Sequence, residues 1–163
     1  MSDERPRPVL PLSGGCQCGA VRYEVSAPPL ILYACHCTDC QRQSGAAFTL
    51  NMPVPAAAFR ITKGEPAGWR RPNASGQNTT SWFCGACGGR IYGSRENRPE
   101  AHTLRAGTLD DTRWLKPVAH FFRRSAQPWE RFDDGAPVFD TMPEDVRPLA
   151  TAWRAQWVAM TEG

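Results

Sequence analysis

Residues 79–92 read Thr-Thr-Ser-Trp-Phe-Cys-Gly-Ala-Cys-Gly-Gly-Arg-Ile-Tyr, and this stretch decides the fold. Positions 79–83 and 90–92 are strand candidates, and between them Cys84 and Cys87 lie on a turn that two glycines follow. Glycines allow positive φ and let backbone N–H groups approach the sulfurs. The stretch therefore predicts a hairpin whose tip directs two thiolates at one point, which is half of a zinc site.

The other half of this site is predicted to come from Cys16-Gln17-Cys18, a second closely spaced pair with glycines beside it. Zinc prefers four soft or borderline ligands at tetrahedral positions, so two such pairs would enclose it. We predict a closed, structural zinc held by Cys16, Cys18, Cys84 and Cys87. Two alternatives stay open. One is a redox pair at the C-x-x-C turn, although no βαβ pattern surrounds it; the other is a pair of small buried thiols at the C-x-C.

A third cysteine group, formed by Cys35, Cys37 and Cys40, has a different spacing. Three thiolates this close in sequence can converge on one metal and leave its fourth position open, which is the mark of a catalytic zinc. His36 is disfavoured as the fourth ligand, because adjacent side chains of an extended segment point to opposite sides. The polar residues 38–45 predict a loop, where reactive groups usually lie. Three reduced, metal-free thiols are the alternative.

The chain up to residue 132 predicts a mainly β domain. About eight short strand candidates fall at 21–25, 30–33, 46–52, 59–62, 79–83, 90–92, 102–106 and 118–123. No long helical pattern interrupts them, so we expect a zinc-stabilised fold of short antiparallel strands. Residues 1–11 are predicted to be a disordered leader, 12–132 the zinc domain and 133–163 a C-terminal extension.

The C-terminal extension predicts a short amphipathic helix. Pro143-Glu144-Asp145 has the early proline and acidic first turn of a helix start. Five side chains then fall on one face at helical spacing: Leu149, Trp153, Gln156, Trp157 and Met160. We expect this face to dock on the domain, and a partner-binding surface is the alternative.

Charge and apolar patterning argue against several classes of function. The net charge is +3, and the pairs Arg70-Arg71 and Arg123-Arg124 form no basic stripe, which disfavours nucleic-acid binding. No run approaches the roughly 20 apolar residues that cross a bilayer, and residues 1–7 lack the apolar core of a secretory signal. We predict a cytoplasmic protein, with no membrane partner, whose seven cysteines stay reduced. The sequence carries no signal for an oligomeric state.

The cysteines and their neighbours form a recognisable pattern. It comprises residues 15–21, 35–45 and 83–88 around the cysteines, and residues 105–111 and 127–129 (Gln-Pro-Trp) further on. Through these segments the chain resembles the glutathione-dependent formaldehyde-activating enzyme family. The resemblance implies a mainly β fold with two zincs, the structural one at Cys16, Cys18, Cys84 and Cys87 and the catalytic-type one at Cys35, Cys37 and Cys40. It also implies a carbon–sulfur lyase reaction that joins formaldehyde to glutathione as S-hydroxymethylglutathione, and the reverse.

The predicted function is therefore a zinc-dependent enzyme that adds a thiol such as glutathione to formaldehyde or a related small aldehyde. A thiol bound at the open position would lose its proton and attack the aldehyde carbon; in a competing mechanism the cysteines meet the substrate sulfur after zinc leaves. Because glutathione carries two carboxylates, Arg42 or one of the adjacent arginine pairs is expected near the site. His102 and His120 are acid or base candidates only by residue type. Phe48 and Trp129 are expected in the core, and a place in the wall of a pocket is the alternative. The alternative function is a non-enzymatic zinc-binding module for a protein partner or a small thiol.

Overall fold

A computed structural model describes residues 6–72 and 77–162. This part of the chain is mainly β and ends in a helix, which confirms the predicted fold class. The strands are β1 (Leu12–Gly15), β2 (Arg22–Val25), β3 (Tyr33–Cys35), β4 (Thr49–Pro55), β5 (Phe59–Lys63), β6 (Ala67–Pro72), β7 (Asn78–Phe83), β8 (Arg90–Arg95), β9 (Ala101–Arg105) and β10 (His120–Phe121), and the helices are α1 (Thr38–Ser44) and α2 (Arg147–Glu162). The first five residues of the predicted leader lie outside the described residues.

The described strands form two sheets. β1, β2 and β5 make a three-stranded sheet, and the remaining strands make a larger one in the order β10-β3-β4-β9-β8-β7-β6. Neighbouring strands are antiparallel, except that β10 and β3 run parallel. The predicted hairpin is confirmed, since β7 pairs with β8 and a register shift at Trp82/Phe83 leads into the cysteine turn.

Two strands were not predicted, because their residues are poor strand formers. β1 reads Leu-Ser-Gly-Gly, and a side chain at Gly14 would collide with the ring of Tyr23 and the carbonyl of Thr108. β6 reads Ala-Gly-Trp-Arg-Arg-Pro and forms the edge of the larger sheet, where charged residues and proline are tolerated. Both strands therefore depend on neighbours distant in sequence rather than on local preference.

The prediction of a loop over residues 38–45 is wrong, because residues 38–44 form α1. Cys37 caps the helix by accepting a hydrogen bond from Cys40 N–H at 3.3 Å. Gly45 ends it in the left-handed conformation, with φ 66° and its N–H bonded to Gln41 O. The polar composition concealed the helix, which buries only Cys40 among its residues.

Aromatic side chains join the two sheets into one core. Phe59 of β5 lies 4.7 Å from Tyr92 of β8 and 5.5 Å from Tyr23 of β2, measured between ring centroids. The hydroxyls of Tyr23 and Thr108 form a 2.8 Å hydrogen bond, so the polar atom of this buried ring is satisfied. This packing holds the smaller sheet, which carries the first cysteine pair, against the hairpin that carries the last.

The C-terminal helix α2 docks on the domain through its predicted apolar face. Leu149, Trp153 and Trp157 are buried, and Trp153 Nε1 donates to Pro29 O at 2.9 Å. Trp157 meets Trp114 edge to face at 5.9 Å. The tryptophans therefore serve internal packing, and the partner-binding alternative for this face is wrong. None of the helices in the described residues is both long and apolar enough to cross a membrane.

Candidate metal centre

Four cysteines from two distant parts of the chain converge in one group, the four-cysteine group. Its sulfurs, which all lie within 4.8 Å of one another, belong to Cys16, Cys18, Cys84 and Cys87. Cys18 Sγ lies 3.6 Å from Cys16 Sγ and 3.7 Å from Cys84 Sγ. A tetrahedral zinc with bonds of about 2.3 Å separates its sulfur ligands by roughly 3.8 Å. The donor set and its spacing therefore fit a zinc ion.

Each of these cysteine pairs lies on a turn that a glycine completes. Gly19 (φ 75°) and Gly88 (φ 76°) both adopt the left-handed conformation that other residues rarely tolerate. Cys16 N–H donates to Val21 O at 3.0 Å, and Cys84 N–H closes the other turn in the same way at 2.9 Å. Val21 N–H in turn donates to Cys16 Sγ at 3.2 Å. The local backbone thus aims the sulfurs and also supplies hydrogen bonds to them.

These contacts favour negative charge on part of the four-cysteine group. Burial raises the pKa of Cys16, but a backbone N–H and the neighbouring thiols outweigh burial and lower this pKa to about 6. The N–H groups of Cys18 and Gly89 lower the pKa of Cys87. The Ala20 N–H lowers the pKa of Cys18, but the Cys16 and Cys87 sulfurs prevail and raise it to about 11. A bound cation would release the protons that remain.

Cys35, Cys37 and Cys40 form the three-cysteine group, whose sulfurs also lie within 4.8 Å of one another. Cys35 ends β3, Cys37 caps α1 and Cys40 lies in the first turn of that helix. The hydrogen bond that begins the helix therefore also orients one of the candidate ligands. Within the described residues, no further histidine, cysteine or carboxylate joins the group. A metal held there would keep one coordination position for a ligand from outside the chain.

Polar side chains surround Cys40. Asn51 Nδ2 donates to Cys40 Sγ at 3.6 Å, and the Arg105 guanidinium donates to Asn51 Oδ1 and, at 2.8 Å, to Gln43 Oε1. The Thr49 hydroxyl donates to Asn51 Oδ1 at 3.1 Å. The roles of these residues were not predicted, although Thr49 and Asn51 give a signal in the sequence. They are polar, they alternate along one strand, and both are buried.

Hydrogen bonds among the three sulfurs separate their pKa values. The pKa of Cys35 is raised, because hydrogen bonds with Cys37 and Cys40 and burial all favour its thiol form. The pKa of Cys40 is lowered, because Cys35 and Cys37 donate to its sulfur and outweigh burial. The group by itself therefore concentrates negative charge on one sulfur, and a cation would displace the protons from the other two.

His36 takes no part in the three-cysteine group and belongs to a buried hydrogen-bond chain. Its Nε2 lies 3.1 Å from His120 Nδ1, and His120 Nε2 lies 2.8 Å from Asp134 Oδ2. Burial and the neighbouring His120 lower the pKa of His36 to about 4, so it is neutral near pH 7. Because the carboxylate can only accept, His120 donates to Asp134 and accepts from His36. His120 is thus packed and hydrogen-bonded rather than free to act alone.

A cavity of about 780 Å³ adjoins the four-cysteine group and the polar residues around Cys40, and none of the cysteines of the three-cysteine group lines it. Its lining includes Cys16 and Cys87 of the four-cysteine group. It also includes Gln43, Thr49 and Arg105, which belong to the polar surroundings of Cys40. A ligand in this cavity would therefore reach the side chains that contact Cys40 before the three sulfurs themselves.

The arginines that line the cavity are not the ones predicted. Three of the predicted arginines form ion pairs with carboxylates of the chain, namely Arg70–Glu96, Arg71–Asp39 and Arg123–Asp140. Arg42 is exposed and does not line the cavity. Arg22, Arg90 and Arg105 line it instead. Arg22 pairs with Asp110, whereas Arg90 Nη1 is buried and has no hydrogen-bond partner among the described residues.

Two aromatic residues predicted in the core lie outside it, and one of them takes the alternative place in the wall of a pocket. Phe48 lines the large cavity and lies 5.0 Å from the His36 ring. Trp129 is 68% exposed, so its predicted place in the core is wrong. It follows Gln127, whose side-chain amide donates to Gln41 of α1 at 2.8 Å. Trp129 therefore extends from a segment that packs beside the three-cysteine group.

Comparisons with known proteins agree with this geometry. A family model described as "Glutathione-dependent formaldehyde-activating enzyme" matches residues 11–125, a range that contains all seven cysteines. The crystal structure of a Rhodobacter sphaeroides protein is similar with a TM-score of 0.51 and 20% sequence identity. The similarity covers 77% of this chain and 98% of that one. At that identity the likeness shows the fold alone.

Proposed function

Because the chain belongs to the glutathione-dependent formaldehyde-activating enzyme family, we propose that it is a zinc-dependent carbon–sulfur lyase. Its reaction adds a thiol such as glutathione to formaldehyde or a related small aldehyde. The observation that carries this proposal is the three-cysteine group, whose sulfurs lie within 4.8 Å of one another without a fourth ligand from the described residues. Cys35, Cys37 and Cys40 would hold a catalytic-type zinc there, and the four-cysteine group would hold a structural zinc.

The reaction needs a sulfur nucleophile at neutral pH. A zinc held by Cys35, Cys37 and Cys40 would supply a positive charge that keeps a substrate sulfur deprotonated. The substrate thiolate attacks the aldehyde carbon and a carbon–sulfur bond forms, while the carbonyl π electrons move to oxygen. That oxygen takes the proton that the thiol released, so the product is a hemithioacetal with no net gain or loss of atoms. The reverse reaction follows the same path.

The chain's own residues would keep the three-cysteine group in place. Asn51 donates to Cys40 Sγ, and Arg105 fixes the orientation of Asn51 by donating to its oxygen. A hydrogen bond from a neighbouring side chain orients a ligating sulfur, and its loss typically lowers metal affinity by about 10- to 100-fold. Asn51 is thus proposed to orient Cys40, and Arg105 to position Asn51.

Recognition of a thiol with carboxylates is proposed for the large cavity. Its volume of about 780 Å³ accommodates a tripeptide-sized ligand. Arg90 is the first candidate for a substrate carboxylate, because its buried Nη1 lacks a partner among the described residues. Arg22 already pairs with Asp110 and would need to exchange that partner.

The test is the rate of hemithioacetal formation from glutathione and formaldehyde, measured by NMR exchange spectroscopy against the spontaneous rate. We expect acceleration by the zinc-loaded protein and its loss in Cys37→Ser, because serine keeps the helix cap but removes a thiolate. Arg90→Gln should raise KM for glutathione but not for 2-mercaptoethanol, which has no carboxylate. Arg60→Gln is the matched control, since Arg60 pairs with Glu24 on the smaller sheet. Full activity in Cys37→Ser would remove the three-cysteine group from the mechanism.

A non-enzymatic zinc module is the competing reading, and the fold disfavours it. The surface it would use, the tryptophan face of α2, is buried against the domain. Metal analysis separates the two functions. Two zincs per chain, of which one becomes labile with glutathione, would support the enzyme; a single zinc unaffected by glutathione would support the module.

A further inference from the structure

A second cavity, of about 160 Å³, is lined by Tyr33 of β3 and by Phe121, the register partner of Cys35. Its lining contains none of the seven cysteines and shares no residue with the large cavity. Tyr33 and Phe121 stack at 4.3 Å and form its aromatic wall. Met142 and Val146, which precede α2, and Ala150 in its first turn also line it. These three lie beyond residues 11–125, so the cavity depends on the C-terminal extension as well as on the family domain.

An arginine without a carboxylate partner among the described residues lies at this mainly apolar cavity, whose lining also contains Arg98 and Thr103. Arg95, at the end of β8, is exposed and lines the cavity. No carboxylate of residues 6–72 or 77–162 forms an ion pair with it, whereas the nearby Arg98 lies 3.7 Å from Glu100. Leu30 and Met142 also line the cavity and are 41% and 43% exposed, so the cavity has access to solvent.

The size and chemistry of the cavity define a class of ligand. Apolar cavities of about 150 Å³ in other proteins stay dry and take up benzene-sized molecules. At the packing density of protein interiors, roughly three quarters of the space is filled by atoms, which corresponds to about seven carbons here. A carboxylate on such a ligand would form an ion pair with Arg95. The apolar part of the ligand would contact the Tyr33–Phe121 wall.

We propose that this cavity binds a small amphipathic carboxylate, with its body of about seven carbons inside and its carboxylate on Arg95. This site goes beyond the proposed thiol–aldehyde reaction, which uses neither Arg95 nor α2. A metal ion is not the occupant, since the lining contains no histidine, cysteine or carboxylate. A second protein chain is not required either, because a space of this volume fits a small molecule.

Calorimetric titration of the full chain with octanoate tests the proposal, with 1-octanol as the uncharged probe. We expect saturable one-to-one binding of octanoate. Ala150→Leu fills the space and should weaken the binding of both probes at least tenfold. Arg95→Gln should weaken octanoate about tenfold and leave 1-octanol unchanged, whereas the control Arg60→Gln should change neither. Because Arg95 is exposed, its variant should fold even if Ala150→Leu does not.

The position of the ligand is tested by ¹³C-methyl NMR of the methionines. Met142 lines the cavity, whereas Met52 and Met160 do not, so octanoate should shift the Met142 signal selectively. Absence of saturable binding would overturn the proposal. So would unchanged octanoate binding in Arg95→Gln, or loss of binding in Arg90→Gln, which would assign the ligand to the large cavity. Activity toward glutathione and formaldehyde is a separate readout, so each proposal can fail alone.

Discussion

Cys84→Ser is expected to lower the melting temperature of the zinc-loaded protein by about 12 °C. Cys84 is 1% exposed and its sulfur lies 3.7 Å from that of Cys18, which is 66 residues away in sequence. A metal that joins these residues would close a long loop of the unfolded chain. If the loss of this buried ligand releases the metal, the loop opens and the unfolded state regains the lost entropy.

The magnitude follows from the length of the loop. In the loop-closure model, a tie across this separation is worth about 4 kcal/mol. For a chain of this size, each kcal/mol shifts the melting temperature by about 2–4 °C. A metal in the three-cysteine group would close only the short loop of residues 35–40. For a loop of that length the same model predicts a stabilisation of about 2 kcal/mol. Cys37→Ser should therefore lower the melting temperature by about half as much as Cys84→Ser.

Differential scanning calorimetry with zinc analysis of the same samples measures both effects. We expect Cys84→Ser to lose mainly stability, and Cys37→Ser to lose mainly activity while it keeps the cap of α1. A chelator should bring the wild-type melting temperature down to that of Cys84→Ser or below. Equal losses of stability in the two variants would refute the loop-closure reasoning. So would a Cys84→Ser protein that keeps both its zinc content and its melting temperature.

Three further predictions concern packing, pH and the surroundings of the metal. Trp153→Ala should lower the free energy of unfolding by about 4 kcal/mol in urea, because it removes a buried indole and its hydrogen bond to Pro29; a loss below about 1 kcal/mol would contradict the docking of α2. Burial lowers the pKa of His102 in the folded protein, so the unfolded chain takes up this proton first and stability should fall as the pH drops through about 6.5. His102→Phe should make urea-derived stability less dependent on pH between about 5 and 7.5, and an unchanged slope would contradict this. Asn51→Leu removes the donor to Cys40 and should weaken metal retention against a chelator by about 10-fold or more, whereas unchanged retention would show that this hydrogen bond is dispensable.

The division of the cysteines into two groups was predictable because local turns encode it. The C-x-C and C-x-x-C pairs each lie on a short turn with a glycine, and such a turn directs its sulfurs whatever surrounds it. The odd cysteine count and the spacing of Cys35, Cys37 and Cys40 then left a second group of three. The apolar face of α2 was predictable for the same kind of reason, since a 3.6-residue period is a local property.

Contacts between distant residues were not predictable in this way. Helix α1 was missed because its cap is a cysteine and its residues are polar. The environment of Cys40 combines β4 with Arg105, which is 54 residues from Asn51. The hydrogen bond between His36 and His120 joins residues that are 84 positions apart in the sequence. The arginines of the large cavity, Arg22, Arg90 and Arg105, come from three different strands.

The amino-acid sequence by itself determined where soft metal ligands gather, since the seven thiols stand at short spacings in three groups. Only the tertiary structure decided what surrounds those thiols: which arginines remain unpaired, which cavity adjoins the sulfurs, and which face of α2 is buried. The physical reason is the distance along the sequence over which each feature is set. Turn geometry and helical period depend on a few consecutive residues, whereas a cavity and a paired charge depend on strands that pack together from far apart in the chain.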